Sequence, residues 1–378
     1  MRQRIRILHV LSTVTGGGVE RRRLSLAKYL DSSQFEMKLI GTYKEGFIAE
    51  QIEEKGVEIL EVGDFNGPFH WEKHKKVQEI IEKFKPHIIH GAVYEGVTMA
   101  AVNGFLKRVP IIILEETSDP QNRSAKADFL LRIFSWFSNK FIAISPNVED
   151  YLKNKAKVSS KKIVTINNGV EIPRNVSEDE VKLLKNKLGL GEEDFIVGSV
   201  GRLFNDHKKF TDIIEALALL KQPNLKLIIV GSGPDEGLIR QKAKDLELEI
   251  QVIFAGYQFD TAPYYKLMNL FCIASQREGF GLVAAEAMLH HLPVIATEVG
   301  GLQNVVEDGN TGFLIPPNSP KYIAEKIGEL YRNGELRKKM SEAGYRRAIE
   351  NYTERRYVKD LEKLYFDLIN QKSIRNEG

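Results

Sequence analysis

Short apolar runs alternate with longer amphipathic segments along this chain, and the alternation breaks once and then restarts. Ile5–Leu11, Met37–Gly41, His87–His90, Ile111–Leu114 and Lys140–Ile144 read as strands, each separated from the next by enough chain for a helix. A polar stretch with few aromatics, Pro173–Asp194, interrupts the series, which resumes at Phe195–Val200, Lys226–Val230, Gln251–Ala255, Leu270–Ala274 and Pro293–Ala296. Strands alternating with helices predict parallel sheets, and two such series predict two doubly wound α/β domains. At 378 residues the chain also exceeds what one hydrophobic core usually organises. The expected boundaries are 1–174 for the first domain, 175–193 for a linker, 194–352 for the second domain and 353–378 for a closing helix. Within Tyr357–Ile369, Val358, Leu361, Leu364, Tyr365 and Leu368 form one apolar stripe, so this helix is expected to cross back to the first domain.

Composition narrows the class. With 43% hydrophobic and 28% charged residues the chain falls among ordinary soluble globular proteins. No stretch approaches the ~18 unbroken apolar residues of a spanning helix. Cys272 is the only cysteine, which excludes an intrachain disulfide framework and a thiolate metal cluster and fits a reducing, cytoplasmic compartment. Met1-Arg2-Gln3-Arg4-Ile5-Arg6 followed by an apolar run imitates a secretion signal, but no small-residue cleavage site follows and the segment reads as a first strand. A net charge of +3 is too balanced for a nucleic-acid binder. Residues 1–174 hold 27 Lys+Arg against 21 Asp+Glu, while residues 175–378 hold 27 against 30. The mildly basic first half suits solvated helix faces, as at Lys73-His74-Lys75-Lys76, and would also suit peripheral contact with anionic lipid headgroups.

Ligands of such sheets bind where strands end and helices begin. In the first half, Gly16-Gly17-Gly18 stands at such a place. In the second, Val200 leads into GRLFNDHKK, which sets Gly201, Arg202 and Lys208 just past a strand end, and two cations there suit a polyanion. The next strand ends in VGSGP, where Gly231 and Gly233 form a tight turn expected to expose backbone amides. FAGYQFD then places Tyr257 at the same edge. After the fourth strand, Gly279-Phe280-Gly281-Leu282 opens a helix whose free N–H groups favour a phosphate. Glu278 precedes that opening and Glu286 follows. For a helix beginning near Gly281 they share a face, roughly 12 Å apart at 1.5 Å per residue. That span suits a nucleotide sugar, one carboxylate accepting from sugar hydroxyls and the other from the ribose diol.

These segments, with ISPNVEDYL, INNGV (Ile166–Val170) and GGLQNVVEDGNTGFL, together resemble the family 4 retaining glycosyltransferases, which have the GT-B fold of two Rossmann-like domains facing across a cleft. The resemblance implies that Glu278 and Glu286 contact the donor sugar and the nucleotide ribose, and that Arg202 and Lys208 bind the donor diphosphate. It also implies that Gly16, Gly17 and Gly18 face the same phosphate from the first domain. The implied reaction is retaining and needs no bound metal or cofactor. It moves a sugar from a nucleotide diphosphate sugar, UDP-sugar before GDP- or ADP-sugar, to a hydroxyl acceptor such as a glycan, a lipid-linked sugar or a small molecule.

Other readings are weighed on residues. GGGVER has Arg21 where a dinucleotide fingerprint has its third glycine, and Leu39-Ile40-Gly41-Thr42 offers no acidic residue after the second strand. The Asp-x-Asp motif of GT-A transferases is absent. A nucleotide-sugar epimerase of the same fold and an inactive sugar-nucleotide binder remain open. The sequence departs from the family pattern at three places: Glu115-Glu116 stands for Glu-His, Gln303-Asn304 for Pro-Glu, and Lys209 for the glycine after Lys208. Glu116 is therefore a candidate catalytic residue, expected to hydrogen-bond a donor hydroxyl. His90 lies where the family often has a histidine, with a core role equally open.

Overall fold

A computed structural model describes residues 4–64, 70–119 and 123–372. Met1, Arg2 and Gln3 of the leader-like start and residues 373–378 of the closing segment lie outside the described residues. The chain divides into two compact units, Met1–Gly169 with Glu354–Gly378, and Val170–Thr353.

The first unit is built on seven parallel strands: β1 (Ile5–Val10), β2 (Phe35–Gly41), β3 (Glu58–Glu61), β4 (Ile88–Ala92), β5 (Ile111–Glu116), β6 (Lys140–Ala143) and β7 (Ile163–Thr165). Their order is β3-β2-β1-β4-β5-β6-β7, so the direction of winding reverses between β1 and β4, where His9 pairs with His90. Inner strands such as β4 and β5 are buried along their whole length, as expected when helices cover both faces of a parallel sheet. The sequence reading missed the two edge strands, β3 because glutamates at both ends hide a short Ile-Leu centre, and β7 because it has only three residues.

The helix Glu354–Gln371 belongs to this unit. Tyr357, Val358, Leu361, Tyr365 and Leu368 share one buried cluster with Ile5 and Ile7 of β1, Phe35 of β2 and Leu24 and Leu26 of the helix Gly18–Tyr29, and Leu364 packs against it. Truncating a buried leucine such as Leu361 to alanine costs about 2–5 kcal/mol.

Beside these apolar contacts lies a buried polar network whose pairings no spacing in the chain reveals. Arg23 Nη2 donates to Glu115 Oε2 at 2.5 Å and Nη1 donates to the Tyr357 hydroxyl at 3.0 Å. His90 Nε2 lies 3.1 Å from Glu115 Oε2, and its Nδ1 is 2.9 Å from the Tyr365 hydroxyl. Burial pushes the Glu115 carboxyl up, but Arg23 and His90 outweigh it and hold the pKa at about 2. Burial lowers the pKa of both His90 and its neighbour His9. His90, for which the sequence left a core role open beside the family's usual histidine position, is fully buried here.

The second unit has six parallel strands, β8 (Phe195–Val200), β9 (Leu225–Val230), β10 (Val252–Gly256), β11 (Leu270–Ile273), β12 (Val294–Thr297) and β13 (Gly312–Ile315), in the order β10-β9-β8-β11-β12-β13. The reversal falls between β8 and β11. The segment expected as a linker contains the helix Glu178–Lys187, which opens with a capping box formed by Ser177 and Glu180. Arg174 ties its start to the unit by ion pairs of 2.7 Å to Glu180 and 2.7 Å to Asp260. None of its residues is buried, which explains why apolar periodicity did not reveal it.

Candidate functional site

In the second unit the residues singled out by sequence gather at the carboxyl edge beside the β8/β11 reversal. Lys208 closes the short helix Asn205–Lys208, and its Nζ lies 2.6 Å from Glu278 Oε2. The chain then passes through Lys209 at φ 48°, a left-handed residue that joins this turn to the helix Phe210–Leu220. Glycine adopts that conformation without penalty, which accounts physically for the residue type usual there. The Arg202 side chain is exposed and forms no ion pair among the described residues. Arg277, which the sequence reading passed over, donates from Nη2 to His207 Nε2 at 2.9 Å, beside the Lys208–Glu278 pair.

Glu278 lies outside the helix Leu282–Leu289, so helical rise does not set its distance from Glu286, and the 12 Å ruler does not apply. Instead each carboxylate has its own neighbour. Glu278 faces Lys208 and its carbonyl accepts from the Gly301 amide at 2.8 Å. Glu286 accepts from the Tyr265 hydroxyl at 3.0 Å, and Tyr265 stacks on His290. Gly281 caps the helix at φ 101°, and a Cβ there would come within 2.7 Å of Leu302. Gly279 and the partly buried Leu282 flank this opening, and Tyr257 stands exposed after β10. Phe280 is buried edge-on to Tyr352, so its ring anchors the loop and only its backbone faces the edge.

The VGSGP turn departs from the expected cradle of open amides. Gly231 donates its N–H to the Gly256 carbonyl at 2.8 Å. A Cβ on Gly231 would stand 1.9 Å from the Gly201 carbonyl, and one on Gly233 would stand 2.4 Å from that of Leu203. These glycines let two loops touch backbone to backbone, which holds Gly201 and Arg202 in place.

The first unit has its own carboxyl edge. Gly16, Gly17 and Gly18 are exposed at the start of the helix Gly18–Tyr29, and a Cβ on Gly16 would meet nothing within 4 Å. The unit's own packing does not require a glycine at Gly16. Glu116, at the end of β5, is buried. It accepts from both terminal guanidinium nitrogens of Arg123, Nη1 and Nη2, and from the Ser118 hydroxyl at 2.8 Å. Burial opposes the Arg123 charge, but Glu116 more than compensates and raises its pKa. Arg123 also lies over the rings of Tyr94 and Tyr151. Just before Tyr94, Val93 sits at φ 64°, because β4 runs into the helix Val93–Leu106 with no intervening residue. For a β-branched residue that conformation stores about 1–3 kcal/mol of strain. Neither Arg123 nor Val93 carries a motif from which sequence alone would have chosen it. Lys73-His74-Lys75-Lys76 is not a uniform basic face, since His74 is buried with its Nδ1 3.2 Å from Asn103 Oδ1.

Among the described residues no group of three or more His, Cys, Asp or Glu side chains is arranged to hold a metal ion, and no helix is long and apolar enough to cross a membrane. Two Rossmann-like sheets with these elements at their carboxyl edges define the GT-B class of fold. HepE of Anabaena, solved in complex with UDP, has the same fold, with a TM-score of 0.86 at 21% identity over 96% of this chain and 100% of that one. Residues 180–347 match the model of glycosyl transferases group 1, and residues 16–174 match that of Glycosyltransferase Family 4. The chain belongs to this glycosyltransferase family. It is 30% identical over 211 residues to N-acetyl-alpha-D-glucosaminyl L-malate synthase of Bacillus anthracis, 56% of this chain and 55% of that protein. It is 33% identical over 228 residues to the putative glycosyltransferase EpsD of Bacillus subtilis, 59% of each chain. The match thus spans a little over half the length of these curated relatives.

Proposed function

We propose that this protein is a retaining glycosyltransferase that moves a sugar from a nucleotide diphosphate sugar to a hydroxyl acceptor in the synthesis of a surface glycan, glycolipid or glycoside. The observation that carries the reading is the Lys208–Glu278 pair set beside the left-handed Gly281 that opens the helix Leu282–Leu289. A cation, a carboxylate and a helix N-terminus at one strand edge suit a phosphate and a polyol together. UDP is the favoured nucleotide, by analogy with HepE.

In this reading the bond between the anomeric carbon and the diphosphate oxygen breaks, and negative charge grows on the leaving group. Arg202 and Lys208 stabilise that charge more than they stabilise the bound donor. The acceptor oxygen bonds to the anomeric carbon on the face the diphosphate leaves, and its proton passes to a diphosphate oxygen. Glu278 accepts from sugar hydroxyls and Glu286 from the ribose. The first unit serves the acceptor, and Gly16 leaves open space at that unit's own carboxyl edge.

Titration calorimetry with UDP-, GDP- and ADP-sugars, followed by nucleotide release in the presence of hydroxyl acceptors and anomeric assignment of the product by NMR, tests the proposal. Release that depends on acceptor, continues in EDTA and keeps the donor's anomeric configuration is the expected result. An altered nucleotide sugar formed without acceptor would make the protein an epimerase. Binding without turnover would make it a sensor.

A further inference from the structure

The helix Ala125–Phe137 turns a large apolar face outward. Leu131 and Phe134 are buried against the first unit, yet Phe129 is 57% exposed and Trp136 63% exposed, with Ile133 between them on the same side. These residues fall at i, i+4 and i+7, so they form one stripe. The end of the neighbouring helix Val93–Leu106 widens it. Phe105 is 55% and Leu106 51% exposed, and the Phe105 and Phe137 rings are 4.4 Å apart. The stripe is held firmly at both ends. Ser124 caps the helix at one end, and at the other Lys162 Nζ donates to the carbonyls of Ser135 at 2.7 Å, Trp136 at 3.0 Å and Ser138 at 2.8 Å.

Cations border this apolar surface. Lys126 and Arg132 on the same helix and Arg108 beside Leu106 are exposed and form no ion pair among the described residues. Asp128, the helix's acidic residue, accepts from the Tyr151 hydroxyl on the flank away from the stripe. Exposed aromatic side chains interleaved with cations are the pattern of a surface that lies in a lipid headgroup region, where rings enter the acyl boundary and cations meet phosphates.

We infer that this face docks the first unit on an anionic phospholipid bilayer. A second copy of the chain is a poorer occupant, because a two-fold contact here would set Lys126, Arg132 and Arg108 against the same cations of its mate. The docking helix begins at Ala125, two residues after the Arg123 that holds Glu116, so the lipid surface and the carboxyl edge of the unit are neighbours. An acceptor hydroxyl anchored in lipid would be delivered beside that edge. This assignment of the acceptor rests on the transfer activity proposed above, whereas the docking does not.

The chain has two tryptophans, and replacing one by Trp71→Phe leaves Trp136 as the reporter. Its fluorescence is expected to shift to the blue with vesicles of phosphatidylcholine mixed with phosphatidylglycerol, and much less with phosphatidylcholine alone. In the unaltered background, co-sedimentation of Phe129→Glu/Trp136→Glu should fall about tenfold or more. Lys126→Glu/Arg132→Glu keeps the rings and should lose the preference for anionic vesicles and the sensitivity to salt. Failure of the unaltered protein to sediment with anionic vesicles overturns the inference, as does a dimer in sedimentation velocity that Trp136→Glu dissociates. Calorimetry with UDP on the same samples separates the two claims. UDP binding without vesicle binding removes the docking alone, and vesicle binding without UDP binding removes the donor reading alone.

Discussion

Lys208 Nζ and the Glu278 carboxylate stand 2.6 Å apart, so the cation assigned to the diphosphate and the carboxylate assigned to the sugar form one ion pair. Lys208→Ala and Arg202→Ala should each lower kcat/KM by ~10²-fold or more, on the scale of losing an oxyanion donor. Because the pair is in contact, Lys208→Ala/Glu278→Gln should lose less than the product of the single losses. Strict additivity in the double-mutant cycle would show that the two groups act independently.

Glu286 and Tyr265 form the second pairing, through a 3.0 Å hydrogen bond. A ribose contact is common to donor and product, so Glu286→Gln should weaken free UDP as much as the UDP-sugar, while Glu278→Gln should weaken mainly the sugar. Tyr265→Phe should reproduce part of the Glu286 effect, about 0.5–1.5 kcal/mol of binding for one hydrogen bond. Calorimetry with UDP and UDP-sugar decides, and the reverse ranking would exchange the two glutamates' roles.

Glu116 was expected to read a donor hydroxyl, yet its oxygens are engaged by Arg123 and Ser118. The variant Glu116→Gln should therefore behave like Arg123→Gln, raising acceptor KM and leaving UDP affinity nearly unchanged. A change of donor ranking in Glu116→Gln alone would restore the direct contact.

The buried network of the first unit makes its stability depend on pH. Glu115 titrates at about 2 in the fold against an ordinary value of 4.5, so its contribution is complete above pH 4.5 and is lost as pH falls toward 2. His9 and His90 are lowered below 6.5, so the unfolded chain takes up their protons first and stability already declines as pH drops below 6.5. Denaturant titrations at pH 7, 5.5, 4 and 2.5 should show both steps, the histidine step above pH 4 and the Glu115 step below pH 4.5. Glu115→Gln should cost about 3–5 kcal/mol at neutral pH by leaving Arg23 buried without its carboxylate, and should flatten the acid branch. A variant with unchanged stability at pH 7 would contradict the role given to this pair.

The inner strands were legible because burial on both faces leaves continuous runs of Ile, Val and Leu, as in Ile111–Leu114 and Lys226–Val230. Edge strands such as β3 and the exposed helix Glu178–Lys187 lacked that signal, since nothing forces apolar residues onto a face that water can reach. Residues at strand ends were legible as types: Lys208, Glu278, Gly281 and Glu286 stand at the edge where parallel sheets bind ligands. Their partners were not. Tyr265 and Arg277 reach the edge of the second unit, and Arg123 that of the first, through folding alone, and no spacing in the chain links Glu286 to Tyr265 or Glu116 to Arg123. Nor did composition distinguish a solvated basic half from the ordered apolar stripe of the helix Ala125–Phe137, which depends on which side of the helix the core covers.

The helix Glu354–Gln371 supplies Tyr357, Val358, Leu361, Tyr365, Leu368 and Ile369 to a core whose other buried members precede residue 170. Proteins usually complete their domains in the order of synthesis. Here the ribosome must make the whole of Val170–Thr353 before the last wall of the first unit exists. Nascent chains arrested at residue 353 should leave Phe35 and Leu26 open to protease, and extension through residue 371 should close them; early protection would show that the sheet folds without its final helix. The strands of the first unit thus wait for a helix made after the second unit, and the second unit, continuous in sequence, has the chance to fold first.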